Sequence, residues 1–502
     1  MAAGVIERTL SRSGFSIGLL SVLVAAVLLP VALSALAFPT PLYDTRELIA
    51  WGRHFPWITP VHPPMMVWVG GLVDAVAGPS GIAMVLVGQL LLAVGLAYSY
   101  GVLRLVTERG IAAFATVLAG TSLYAVVGPL SWALNADILQ LTSWPAVIYH
   151  LLRARSTDRW LHWILLGAWA AAAALTKYNA FVLFFGIACA LLALPTFRVL
   201  LRRPGFYAAA LICGLLLLPH VLMVYRFHTT LTYGSKHFHG LSSPLETAKR
   251  VGCLLLGYLP MLLPGALVVA IGCWRGALAL RLQRFAVLRD EVKFLVLVNI
   301  AMFLLLLVFV VLLGLQYIVR YGAPFAQMAM LALAPMLDWR PGRQIAGERH
   351  TAVALGGFYA VAATAACVAY LGFFSHSGLQ EPTAAAARAI MADWNSRYHC
   401  GPGYILGDRQ TVYGVGIAAE PKIDSLAVEY IPRTPWFDPE IVLSKGAVLV
   451  YSLPSVPDQF AALFPEIKIG KERQITLPVL RTMSGKTKTY TYRFVPPGDC
   501  RN

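Results

Sequence analysis

Eleven stretches of this chain are long and apolar enough to compete for a lipid bilayer, where a crossing helix needs about 20 mostly apolar residues. They are 15–37, 81–105, 111–128, 133–152, 160–175, 178–196, 206–225, 250–272, 294–314, 316–337 and 351–374. A chain of 502 residues built this way is a polytopic, mostly α-helical membrane protein. Charge agrees: only 13% of residues are Asp, Glu, Lys or Arg, against about 25% in an ordinary soluble domain. The net charge of +16 is spread over a greasy chain. A nucleic-acid binder would gather its basic residues on one wet face instead. Residues 1–37 also carry an Ala35-Leu36-Ala37 cleavage-like site. Their apolar run exceeds the roughly 7–15 residues of a leader, so a retained first span is expected.

Dividing the chain at Ser375 separates two kinds of sequence. Residues 1–374 hold 26 basic and 12 acidic side chains, residues 375–502 hold 14 and 12, so +14 of the +16 sits in the apolar part. The expectation is a transmembrane domain over 1–374 and a separate, water-exposed domain over 375–502. With the N-terminus inside, eighteen basic residues fall on cytoplasmic flanks and eight on outer flanks. That bias sets the orientation, so a multi-pass protein of the inner (plasma) membrane is expected, with its N-terminus cytoplasmic and its tail in the periplasm. In the tail, 382–397 reads as a helix, and 403–407, 447–451 and 490–495 read as strands. This is a small α/β domain with no phosphate loop and no catalytic triad. Gating, acceptor recognition and a stabilising cap all stay open as its role. Of the seven cysteines, only Cys400 and Cys500 lie in the tail, where an oxidising space would let them pair.

Acids are scarce outside the expected spans, so the first outer loop, 38–80, stands out. It opens with Asp44-Thr-Arg-Glu47 and Trp51, and continues to His62-Pro63-Pro64. The stretch 42–55 suits a short interfacial helix, with Asp44 and Glu47 sharing one face three residues apart. The prolines after His62 forbid a helix through it, and 65–78 reads as a second interfacial helix. Capping and loop roles would explain any one of these residues; together, beside a membrane, they favour a site.

The spacing of Asp44, Trp51 and His62-Pro63-Pro64 resembles the first outer loop of the GT-C membrane glycosyltransferases. The similar branch comprises bacterial relatives of dolichyl-phosphate-mannose protein mannosyltransferases and of aminoarabinose lipid A transferase. Three further stretches resemble that branch: Asn135-Ala-Asp137, leading to Tyr149-His-Leu-Leu-Arg153; Thr176-Lys177-Tyr178-Asn179; and Arg320-Tyr321-Gly-Ala-Pro324. Two positions depart from the pattern, Thr45 standing for a Glu and Val61 for an acid. Glu47, one turn on, is placed to replace one of them.

The resemblance implies a GT-C fold with about eleven spans, a polyprenyl-phosphate sugar as donor, and inverting transfer on the outer face. An acceptor hydroxyl needs a carboxylate within hydrogen-bond reach to take its proton; Asp44 is the candidate base. The leaving phosphate is already anionic, so cations rather than a general acid must hold its charge. Lys177, Arg320 and His62 are the candidates, with Asp137, Tyr178 and Tyr321 beside them around donor sugar and phosphate. Glu47, Trp51, Lys236 and His237 are candidates for acceptor contact or loop roles. Snorkelling would equally explain Lys177, lipid-phosphate binding Arg320, and interface anchoring the tyrosines. A divalent metal is compatible with the sequence and not required by it. The acceptor is expected to be an envelope glycolipid such as lipid A or lipopolysaccharide, with a polysaccharide or protein acceptor open. Membrane lipid is the other expected partner, and nucleic acid is not. The competing reading is a transporter or flippase of lipid-linked saccharides, but internal repeats are not evident.

Overall fold

The computed structural model describes residues 40–120, 134–228, 234–274, 278–316, 319–341, 380–480 and 485–498, with scattered positions at 28–35 and 365. The spans expected at 15–37 and 351–374, the last residues of 111–128, and Cys500 lie outside the described residues.

Two short helices follow the first expected span, α1 (Tyr43–Gly52) and α2 (Met65–Ala77), both in the outer-loop segment read above as interfacial. They cross at Gly52 and Gly71, where a Cβ on either glycine would collide with the other's backbone. Among the described residues, ten further helices of more than one turn come next: α3 (Gly81–Val106), α4 (Arg109–Gly120), α5 (Ala136–Thr157), α6 (Trp160–Thr176), α7 (Ala180–Ala193), α8 (Pro204–Phe227), α9 (Pro244–Gly257), α10 (Leu259–Trp274), α11 (Asp290–Leu312) and α12 (Ala323–Met336). Among the described residues, α3, α8 and α11 are each long and apolar enough to cross a membrane. A further pair, α7 with the turn to Arg202, passes together with a bend of 108°.

Helix α5 runs through the middle of this bundle with nearly every residue buried. Small residues bring its neighbours close. Gly95 of α3 lies against the Leu141 backbone of α5, Gly167 of α6 against Ala209 of α8, and Gly186 of α7 within 2.7 Å (measured from an added Cβ) of the Val298 carbonyl of α11. In lipid there is little hydrophobic drive between helices, and close backbone approach through small residues takes its place.

Two segments differ from the expectation. The stretch 250–272 is not one helix but α9 and α10, parted at Tyr258. Pro260 is the second residue of α10, and proline, lacking an N–H, fits a helix start and not its interior. The stretch 316–337 becomes α-helical only at Ala323, again with a proline, Pro324, in the first turn. A small antiparallel pair, β1 (Leu278–Leu282) with β2 (Leu337–Pro341), joins two arginine-bearing connections and was not foreseen.

The tail folds as an α/β unit: α13 (Thr383–Asn395), β3 (Tyr404–Gly407), α14 (Arg409–Ile417), β4 (Asp424–Ala427), α15 (Pro439–Lys445), β5 (Ala447–Tyr451), α16 (Val456–Leu463), β6 (Arg473–Pro478) and β7 (Thr487–Val495). The five-stranded sheet has the order β4-β3-β5-β7-β6, with β3 parallel to β4 and β5 and the β7 pairings antiparallel. The three strands expected from sequence are β3, β5 and part of β7. Strand β4 is only four residues long, and β6 alternates polar residues at the sheet's edge, so neither carries a strong apolar signal.

The tail's core is continuous with the first outer loop. One buried cluster runs from Leu48, Ile49 and Trp51 through Val61 and Met66 into Trp394, Tyr413 and the sheet residues Ile405, Val448 and Val450. Apolar residues of α1 are thus closed off from water by α14 and the sheet.

Candidate active site

The site is built from two turns on neighbouring helices and one loop helix. Asn135 caps α5, its side-chain oxygen accepting from the N–H groups of Asp137 and Ile138. Asp137 thus sits in the first turn, where a helix N-terminus favours negative charge. The turn between α6 and α7 carries Lys177, Tyr178 and Asn179. Lys177 donates through Nζ to Asp137 Oδ1 at 2.5 Å, and the same ammonium lies 3.7 Å from the centre of the Tyr321 ring. Asn179 accepts from Gln140 of α5. Tyr178 pairs its hydroxyl with His220 Nε2 at 2.9 Å, and His220 Nδ1 meets the Trp57 carbonyl at 2.7 Å. Two spans and the outer loop are thereby tied to one turn.

Above this turn lies a cavity of about 520 Å³. Its lining includes apolar Phe181, Val182, Leu305, Leu306 and Phe309 and polar His62, Lys177, Tyr178 and His237. His62 is fixed there by Thr59, whose hydroxyl donates to the His62 carbonyl at 2.6 Å and accepts from its N–H at 3.0 Å. His237 belongs to a loop that pairs with the connection after α11: Gln316 N donates to the His237 carbonyl at 2.9 Å, and Phe238 bridges Leu315. Lys236 is exposed on the same loop and does not line the cavity. The Arg320 side chain lies outside the described residues, although its backbone is on the turn that presents Tyr321. A second cleft, of about 350 Å³, continues along α7 and α11 past Phe185, Cys189, Leu297 and Leu304, and shares Leu305 with the first.

Asp44 does not line that cavity, although His62, farther along the same loop, does. Thr45, its neighbour, donates to the Leu134 carbonyl at 3.0 Å, just before the Asn135 cap. Asp44 is partly exposed on α1, while Glu47 is buried. Both carboxylates meet one guanidinium from the tail, that of Arg409 at the start of α14. Its Nε and Nη2 donate to the two Glu47 oxygens, Nη2 at 2.7 Å, and Nη2 lies 3.5 Å from Asp44 Oδ1. Burial holds the Glu47 carboxyl above the usual range, with Arg409 pulling it part of the way back. Glu47 and Trp51 face the tail and not open space. Trp51 Nε1 donates to the Tyr413 hydroxyl at 3.0 Å, and Trp51 is 1% exposed. Arg46, equally buried, donates to Glu381 at 2.7 Å. Of the tail cysteines, Cys400 is disulfide-bonded, while Cys500 is outside the described residues. Among the described residues no group of three or more His, Cys, Asp and Glu side chains is placed to hold a metal ion.

The structure thus brings His62, Lys177, Tyr178, His237 and Tyr321 to one cavity, with Asp137 bonded to Lys177, and sets Asp44 and Glu47 against Arg409 of the tail. Arg409 was missed by sequence reasoning. It is 362 residues from Glu47 in the chain, and no local pattern links them.

Residues 61–223 match the family model described as dolichyl-phosphate-mannose-protein mannosyltransferase. Comparison with curated proteins gives no match. Among solved structures, the chain is similar to the crystal structure of ArnT from Cupriavidus metallidurans bound to undecaprenyl phosphate. The TM-score is 0.62 at 13% identity, over 97% of this chain and 100% of that one. The helical bundle, the two loop helices and the small α/β tail thus share the fold of the ArnT structure, and residues 61–223 carry the similarity to the mannosyltransferase model.

Proposed function

We propose that the protein is an integral-membrane glycosyltransferase that moves a sugar from a polyprenyl-phosphate donor to an acceptor hydroxyl at the outer face of the plasma membrane. The observation that carries this reading is one cavity lined mainly by apolar side chains and also by Lys177, His237 and His62, the last on the loop that carries Asp44. Such a chamber suits a lipid phosphate: apolar wall for the chain, cations for the head. The second cleft along α7 and α11 supports it. Phe181, Phe185 and Cys189 recur every four residues on α7, so they form one stripe, about 12 Å long at ~1.5 Å per residue. The undecaprenyl phosphate bound to the similar ArnT structure is a ligand of this class.

In the proposed reaction the acceptor oxygen attacks the anomeric carbon and a C–O bond forms on the face opposite the leaving group. The bond from that carbon to the phosphate oxygen breaks, and polyprenyl phosphate departs with the electron pair. Asp44 takes the acceptor proton. Lys177, aimed by Asp137 and resting on Tyr321, meets the phosphate charge, and Tyr178 and His62 line the head of the cavity. An ammonium has three donors, so its bond to Asp137 leaves others for phosphate. The acceptor is an envelope glycolipid in this reading.

A deletion strain tests it. Mass spectrometry of its envelope glycolipids should show one species lacking a sugar, restored by the wild-type gene and not by an equally expressed Asp44→Asn variant. Full restoration by that variant would remove Asp44 as base and favour the transporter reading, which needs no proton acceptor.

A further inference from the structure

We propose that Arg409, contributed by the tail, is a positioning residue for Asp44, so that the catalytic loop is complete only with the tail docked on it. This rests on the reading of Asp44 as the base.

Asp44 and Glu47 stand three residues apart on one face of α1. Two like charges so placed repel each other, and a free loop would turn one of them to water. A single planar guanidinium spans both. It takes Glu47 side-on through Nε and Nη2, and its Nη2 lies 3.5 Å from Asp44 Oδ1. Glu47 is 2% exposed, so it serves as a fixed inner anchor. Asp44, partly exposed, is the member left facing outward.

Arg409 is itself held rigidly. It follows Asp408, a buried residue whose Oδ1 accepts from the N–H groups of Gln410 and Thr411 and whose Oδ2 accepts from Ser452 N at 2.6 Å. These bonds lock the turn from β3 into α14 to the end of β5. Strand β3 has parallel neighbours on both sides. From β3 the chain passes through α14 to β4 on one side, and from β5 it passes on to β6 and β7 on the other, so the sheet switches direction between β3 and β5; in open α/β sheets the carboxyl ends at such a point are the usual ligand position. Here the side chain leaving that point meets the Asp44–Glu47 pair. Docking is reinforced nearby by Arg46 with Glu381 and by the uncharged contact of Trp51 with Tyr413.

That difference gives the test. Purified full-length Arg409→Lys, Tyr413→Phe and Asp44→Asn are compared with wild type for kcat, donor and acceptor KM, and thermal stability. The substrates are a polyprenyl-phosphate sugar and envelope glycolipid. A lysine offers a point charge and cannot span two carboxylates. Arg409→Lys is therefore expected to lower kcat about tenfold or more with both KM values within about twofold, since a ~1 Å misplacement of a reacting group can cost about a hundredfold. Tyr413→Phe loosens the same contact without touching charge, and should lower stability while keeping kcat within about twofold. Wild-type kcat in a folded Arg409→Lys, an acceptor KM that rises alone, or an equal kcat loss in Tyr413→Phe would each overturn the proposal. An active Asp44→Asn would instead overturn the assignment of the base.

Discussion

Asp393 shows how single charges in the tail hold elements together. Burial opposes its ionised form, but hydrogen bonds from Arg397 and Tyr492 and the charge of Arg473 outweigh it and keep the carboxyl below its ordinary value. A depressed carboxyl contributes stability above its unfolded pKa and loses it as pH falls through the folded one. The unfolding midpoint of the detergent-purified protein should therefore fall as pH drops below about 4, the ordinary aspartate range, and Asp393→Asn should flatten that fall. An unchanged acid limb would mean other carboxyls carry it. The residues at the site were unevenly legible. Asp44, His62, Asp137, Lys177, Tyr178 and Tyr321 stand in short motifs that survive in sequence order. The bonds between them do not: that Lys177 meets Asp137, or that His220 reaches both Tyr178 and Trp57, depends on how helices cross. Glu47 and Trp51 looked like surface candidates because an amphipathic stretch shows which face is apolar and not what covers the other one.

Helix packing places the cavity as much as its lining does. Helices α7 and α11 form one wall, and they touch through Gly186, where an added Cβ would meet the Val298 carbonyl at 2.7 Å and Met302 Cγ at 2.8 Å. Gly186→Leu should push the pair apart and destabilise the protein by about 1–3 kcal/mol, read as a lower unfolding midpoint in detergent, with donor affinity falling alongside. A wild-type midpoint would show that the crossing is slack. Helices with a long apolar run were readable from sequence, as α3, α8 and α11 show, because one continuous stretch suffices. The breaks were not. Tyr258 parts α9 from α10 within a stretch that stays apolar throughout, and only the prolines hint at it. The interfacial pair α1 and α2 was readable because His62-Pro63-Pro64 punctuates the chain between them. In the tail, α14 was missed although Asp408 caps it, since its apolar run is short and interrupted by glycine.

The molecule joins an apolar helical bundle to an α/β tail through a loop whose buried side chains belong to the tail's core. Composition divides the chain cleanly near Ser375, yet the buried cluster crosses that line from Trp51 to Tyr413. Sequence could mark the two environments because charge density changes between them. It could not mark their union, which rests on contacts between residues several hundred positions apart. On this account the cavity holds a lipid phosphate, the loop supplies the proton acceptor, and the tail keeps the loop in place. Single turnover with preloaded donor separates these parts most directly. Protein is loaded with polyprenyl-phosphate sugar, mixed with acceptor glycolipid, and followed for released polyprenyl phosphate. Asp44→Asn should bind donor within about twofold of wild type and transfer it at least ~100-fold more slowly, the range expected for loss of a general base. Transfer at the wild-type rate from that variant would contradict the account.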